Sequence, residues 1–121
     1  MTALFDSDVL IDFLRGIEAA AAELDHYSRR LISRISGMEV QVGTRSDEDR
    51  ALLESFLEQF EVIELDAAIA RRAIAIRREH RLKLPDAIVW ASAFGANALL
   101  VTRNTKDFPE GEPSVRFPYR V

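Results

Sequence analysis

Short apolar runs alternate along this chain with segments of helical periodicity, and that alternation restricts its fold more than any other feature. Met1–Phe5 is brief, apolar and stops at an acid, as a buried strand does. Val9, Leu10, Phe13 and Leu14 then recur at helical spacing until Gly16, and an alanine-rich helix is expected over Glu18–Tyr27. Leu31–Ile35 reads as a second strand, with a short helix from Ser36 to Thr44. Ser46 is a natural N-cap for a helix with three acids in its first turn and an apolar stripe of Leu52, Leu53, Phe56, Leu57 and Phe60. Glu61–Leu65 alternates like a strand with one wet face. Asp66 then caps a helix expected to bury Ile69, Ala70, Ala73, Ile74 and the stem of Arg77. A further helix opens near Pro85 and closes at Gly95. Ala98–Val101 is a continuous apolar run of the kind found in central parallel strands, and Val115–Tyr119 suits an edge because of Pro118. Strands alternating with helices imply an α/β sandwich with a mainly parallel sheet, and 121 residues fit one domain spanning 1–121.

Composition removes several kinds of chemistry. There is no cysteine, so disulfides, thiolate metal sites and cysteine nucleophiles are all excluded. His26 and His80 stand alone, no phosphate-binding glycine loop is present, and no nucleophile elbow accompanies a serine. Nothing near Met1 reads as a signal peptide and no stretch is long and apolar enough for a membrane helix, which points to a soluble, cytoplasmic protein. The net charge of -4 runs against a nucleic-acid partner, yet Arg71, Arg72, Arg77, Arg78, Arg81 and Lys83 crowd one short region. That run is equally well explained as the solvated side of a helix.

What remains for chemistry is oxygen donors, which hard cations such as Mg²⁺ and Mn²⁺ prefer. Asp6 ends the first strand, and Asn104 and Asp107 follow the fourth, where sites form in parallel sheets. Glu39 lies in an apolar helix with Gly43 one turn on, leaving room beside it, and Asp86 follows Leu84-Pro85 at a helix start. Each has an ordinary alternative role: N-cap, exposed glutamate, first-turn acid or turn residue. Asp8 is expected to cap the first helix, and Asp12 to face solvent.

DSDVLIDFLRG at the start, ISGME with Gly43, LPDAIVWASA and LVTRNTKDF together resemble the PIN-domain family, and more narrowly the VapC-type toxins of bacterial toxin–antitoxin pairs. The match runs in the right order over nearly the whole chain. Asp8 departs from it, standing where the family often has Asn or another small polar residue. The resemblance implies a three-layer sandwich with a sheet of about five parallel strands, and a metal-dependent endoribonuclease. It implies Asp6, Glu39, Asp86 and Asp107 as catalytic acids, with Asp6, Asp86, Asp107 and Asn104 as ligands of Mg²⁺ or Mn²⁺. Family members differ over whether the fourth acid stands at the position of Asn104 or of Asp107, and here the first is an amide. Ser36 and Thr102 match small hydroxyl positions that orient carboxylates. Arg15, Arg103 and Lys106 lie close to these motifs and are candidates for RNA phosphate contacts. An antitoxin partner and a homodimer are also implied. Two rivals stand beside this reading. One is a catalytically silent module of the same fold. The other is a haloacid-dehalogenase-like phosphatase, suggested by DSD but poorly matched by TRNTKDF.

Overall fold

The computed structural model covers Met1–Val121 and contains five strands and six helices. In chain order they are β1 (Thr2–Phe5), α1 (Ser7–Leu14), α2 (Glu18–Asp25), β2 (Arg29–Ser33), α3 (Arg34–Val42), α4 (Asp47–Leu57), β3 (Glu61–Ile63), α5 (Ala67–His80), α6 (Leu84–Gly95), β4 (Leu99–Val101) and β5 (Val115–Arg116). The strands form one sheet in the order β3-β2-β1-β4-β5, with every pairing parallel. Leu4 lies opposite both Leu31 and Leu100, so β1 is the centre of the sheet.

Because side chains alternate across a strand, each strand feeds both faces. Leu4, Leu31 and Leu100 point to one side, where α5 and α6 supply Ile69, Ala73, Ile76, Ile88 and Trp90. Ala3, Phe5, Ile32 and Val101 point to the other, where they meet Val9 and Leu10 of α1, Leu24 of α2, Val40 of α3 and Leu53 of α4. This is the expected three-layer α/β sandwich. Trp90 is buried, meets Phe108 edge-on at 6.1 Å, and donates its indole N–H to Ser114 Oγ at 3.2 Å.

Ser46 and Asp66 cap α4 and α5 as their positions suggested, accepting from Asp49 N at 3.0 Å and Ile69 N at 2.9 Å. Gly16 adopts φ +82°, the left-handed conformation that lets the chain turn out of α1.

Several expectations need correction. β2 ends at Ser33, and Arg34 and Ile35 already belong to α3, with Ser33 as N-cap. The apolar run LISRI therefore spans a strand-to-helix junction rather than one strand. Leu52 and Ile74 are exposed at 71% and 48%, and α5 buries Ile76 beside the expected Ile69 and Ala73. A helix turns 100° per residue, so a stripe wider than its contact leaves one flank in water. Arg77 is exposed, and its guanidinium caps the chain beyond α5 by donating to Leu82 O. β5 is only two residues long, and Pro118 lies beyond it.

Candidate active site

An all-parallel sheet sends every strand's carboxyl end to the same edge, and the candidate acids collect there. Asp6 is the first residue after β1 and Asp8 lies in the first turn of α1. Glu39 is one turn into α3, which follows β2 without a loop, and Asp86 is in the first turn of α6. The loop after β4 brings Thr102, Arg103, Asn104 and Asp107. Asp6, Asp8, Glu39 and Asp86 line one cavity of about 290 Å³ together with the segment Arg103–Lys106, and no hydrophobic residue contributes to its wall. A larger cavity of about 620 Å³ adjoins it and contains none of these acids.

Asp6 is buried, and each of its oxygens is held. Oδ1 accepts from Ser7 N at 2.8 Å and Oδ2 from the Thr102 hydroxyl at 2.8 Å. That second bond joins the ends of β1 and β4, adjacent in the sheet but 96 residues apart in sequence. Thr102 Oγ1 also accepts from Asn104 N at 3.1 Å and lies 3.3 Å from Asp8 Oδ2. Its single proton serves one carboxylate at a time, and the shorter bond is to Asp6. Asp8 accepts the backbone N–H of Arg103 at 3.2 Å.

The acids oppose one another's ionisation. Burial, then the charge of Asp8, pushes Asp6 up from 3.8 to about 7. Burial also raises Asp8, against the restraining contacts from Arg103. Glu39, at the rim, is raised by partial desolvation and then by Asp86 and Asp8. Asp86 is raised by burial and then by Asp107, with Lys83 opposing. None of these acids forms an ion pair. A divalent cation would relieve this crowding, and the donor set suits a hard one: carboxylate, amide and hydroxyl oxygens without sulfur or imidazole. The buried Ser36 hydroxyl lacks a hydrogen-bond partner and lies one helical turn before Glu39 on α3. As arranged, no three of the acids converge into a finished ligand shell.

Of the expected residues, Asp6, Glu39, Asp86, Asn104 and Lys106 border the acid cavity. Asp107 stands behind Asn104 and does not line it. The Asn104 amide donates to Asp107 Oδ2 at 2.9 Å, and Asn104 Oδ1 accepts from Asp107 N at 3.1 Å. Asp107 still bears on the site through its charge on Asp86. Arg15 lies away from the acid cavity, in a groove on the α1 side.

Two expectations fail. Asp12 does not face solvent: it is 3% exposed and accepts from Arg103 Nε at 2.7 Å, Arg103 Nη2 at 3.0 Å and Tyr119 Oη at 2.8 Å. Arg103 thus spends its Nε–Nη2 edge and its charge on Asp12, with Nη1 outside that pair. Asp8 does not cap α1 either; Asp6 does, and Asp8 joins the acid wall. The one available signal was the i, i+4 spacing of Asp8 and Asp12, which puts both on one face of α1.

The sequence pattern that defines the PIN domain matches residues 3–111 of this chain. Among solved structures, a toxin–antitoxin complex from Klebsiella pneumoniae contains a chain 41% identical, with a TM-score of 0.93 and 98% and 99% of the two chains covered. VapBC2 from Rickettsia felis, bound to a DNA fragment from its promoter, matches at 21% identity and a TM-score of 0.80, over 95% of this chain and 96% of the other. FitAcB from Neisseria gonorrhoeae matches at 22% and 0.78 over the full length of both chains. The latter two likenesses are of fold. No curated protein matches the sequence.

Proposed function

Since the chain belongs to the PIN domain family, we propose that it is a Mg²⁺-dependent endoribonuclease and the toxin of a toxin–antitoxin pair. The observation that carries this reading is the cavity walled by Asp6, Asp8, Glu39 and Asp86, four acids none of which forms an ion pair. Family membership displaces the phosphatase alternative, and four acids kept together although they oppose one another's ionisation weigh against a silent module.

When bound, Mg²⁺ or Mn²⁺ would polarise the scissile phosphodiester and acidify a water for in-line hydrolysis. Asp6, Asp86 and Asn104 border the place where it would sit, with Asp107 orienting the Asn104 amide. Thr102 and Ser7 hold the Asp6 carboxylate in one orientation, so little reorganisation is needed on loading. Glu39, at the rim, faces the entering substrate. Lys106, exposed beside the acids, is placed to meet a flanking phosphate.

A groove of about 430 Å³ on the other side of Glu39 suits the antitoxin. Ile11, Leu14, Leu52 and Leu53 line it, and Leu14 and Leu52 are exposed at 47% and 71%. A partner helix laid there would cover this apolar surface, and a basic side chain from it would reach the acids. The relative from Klebsiella pneumoniae comes from a complex of this general kind. Pairing of two copies of the chain in the cytoplasm completes the reading.

The purified protein is expected to cleave RNA internally with Mg²⁺, to stop on addition of chelator, and to be inactive as Asp6→Asn. Expressed alone it should arrest growth, and the Asn variant should not. Full toxicity of Asp6→Asn would remove metal-dependent cleavage as the cause.

A further inference from the structure

The 620 Å³ cavity beside the acids has a wall unlike theirs. Phe117 and Tyr119 supply two aromatic rings, Arg120 an exposed cation, and Arg103 and Thr105 are shared with the acid cavity. The two spaces therefore meet along the loop after β4. We propose that this groove binds the segment of single-stranded RNA flanking the scissile phosphate, with a base stacked on Tyr119 and a backbone phosphate at Arg120. The inference rests on the nuclease reading and assigns where its substrate lies.

A polyanion cannot lie along four carboxylates, so beyond the scissile phosphate it needs a route without them. Arg103 does not provide the charge, being spent on Asp12. Arg120 does, because it is exposed and no acid pairs with it. Tyr119 offers more than area. Its hydroxyl is tied to the buried Asp12 at 2.8 Å, so the ring is held in place and loses little freedom when a base stacks on it. Phe117 is anchored from the opposite side, packed against the core under α5 and α6. Glu110 is the one acidic side chain on the groove wall, and a carboxylate there fits the exocyclic amino group of a base better than a phosphate. Rings for stacking beside a cation for the backbone are what single-strand binding needs, whereas an A-form duplex shows a protein mainly its phosphates and 2′-hydroxyls.

The test uses an Asp6→Asn background, in which RNA is bound and not cut, and a fluorescent single-stranded oligoribonucleotide of roughly eight nucleotides, within the usual single-strand site size. Anisotropy titrations are run over a range of salt. Arg120→Ala is expected to lower the slope of log affinity against log salt by about 0.7, the loss of one phosphate contact. Tyr119→Leu should weaken binding roughly tenfold, as expected for one lost base stack. Tyr119→Phe keeps the ring without the hydroxyl and should bind within about twofold of the parent, since every base stacks on a bare ring. Thermal melts of each variant establish that it is folded. Parent-like affinity and salt slope in both Arg120→Ala and Tyr119→Leu would overturn the groove assignment. Equal losses in Tyr119→Phe and Tyr119→Leu would also overturn it, because the effect would then run through Asp12. If the unsubstituted protein still cleaves RNA in those cases, the nuclease reading stands. If it neither binds nor cleaves RNA, both readings fall.

Discussion

Asp6 is a carboxylate that the fold makes hard to ionise. Its pKa lies near 3.8 when the chain is unfolded and about 7 when folded, chiefly through burial and then through Asp8. The folded form thus binds the proton more tightly. The associated stability is fully present below about pH 4 and is lost as pH rises through 7. Asp8, Glu39 and Asp86 are raised in the same direction and add to the loss. Asp12 behaves oppositely. Burial works to raise it, but the bonds from Arg103 and Tyr119 prevail and hold it below the usual carboxylate range. Its contribution is present at neutral pH and disappears only in acid. In chelator, therefore, denaturant melts should show stability falling between pH 5 and pH 8. Asp6→Asn should lessen that fall and raise stability at pH 8 by a few kcal/mol, while abolishing cleavage. An identical fall in both proteins would show that Asp6 is not the group responsible. Asp6 was legible in the sequence as the acid that closes an apolar run, although its capping of α1 is an ordinary role that the same position serves. Asp8 was not: its neighbours in the chain suggest a helix start, and only the fold sets it against Asp86 and Glu39.

At the scale of elements, α1 grips the loop after β4 at two points. Asp8 takes the backbone N–H of Arg103, and Asp12, one turn later, takes its guanidinium. A second buried acid repeats the device: Glu23 of α2 is 3% exposed and accepts from Arg116 of β5 at 2.7 and 3.0 Å and from the Tyr27 hydroxyl at 2.9 Å. Together they tie the C-terminal third of the chain to its first two helices. Removing one partner of a buried pair leaves the other charge uncompensated at about 3–5 kcal/mol. The Arg103 side chain is 32% exposed and Tyr119 remains, so solvent screening brings Arg103→Ala down to about 2 kcal/mol. A double-mutant cycle with Asp12→Asn, read by urea denaturation, should return most of that cost as coupling energy. Independent effects would mean that the pair does not hold the loop. The partners are 91 residues apart, so no local pattern announces them. Helix and strand identities, by contrast, rest on near-neighbour spacing and were readable throughout, apart from the LISRI junction, where an apolar run carries no mark of its own bend.

Over the whole molecule, cation binding at the acid cavity, as proposed, would share one equilibrium with folding. An ion that binds the folded site alone stabilises it by about 2.7 kcal/mol at a hundredfold excess over its Kd. Mg²⁺ should therefore raise the melting temperature at pH 8 and have little effect at pH 5, where Asp6 is protonated. An equal rise at both pH values would point to binding elsewhere. The strand–helix alternation determined an α/β sandwich, and the parallel sheet it implied predicted which edge would carry the site. The motifs around Asp6, Glu39, Asp86 and Asn104 named the side chains there. What only the tertiary structure decided is how those residues are arranged: Asp107 set back behind Asn104, Asp8 drawn into the acid wall, Arg103 bonded to Asp12. Segment identity follows from spacing within a few residues, which a sequence displays directly. The partners of a charged group depend on which strand ends the sheet places side by side, and β1 and β4 meet only once the chain between them has folded.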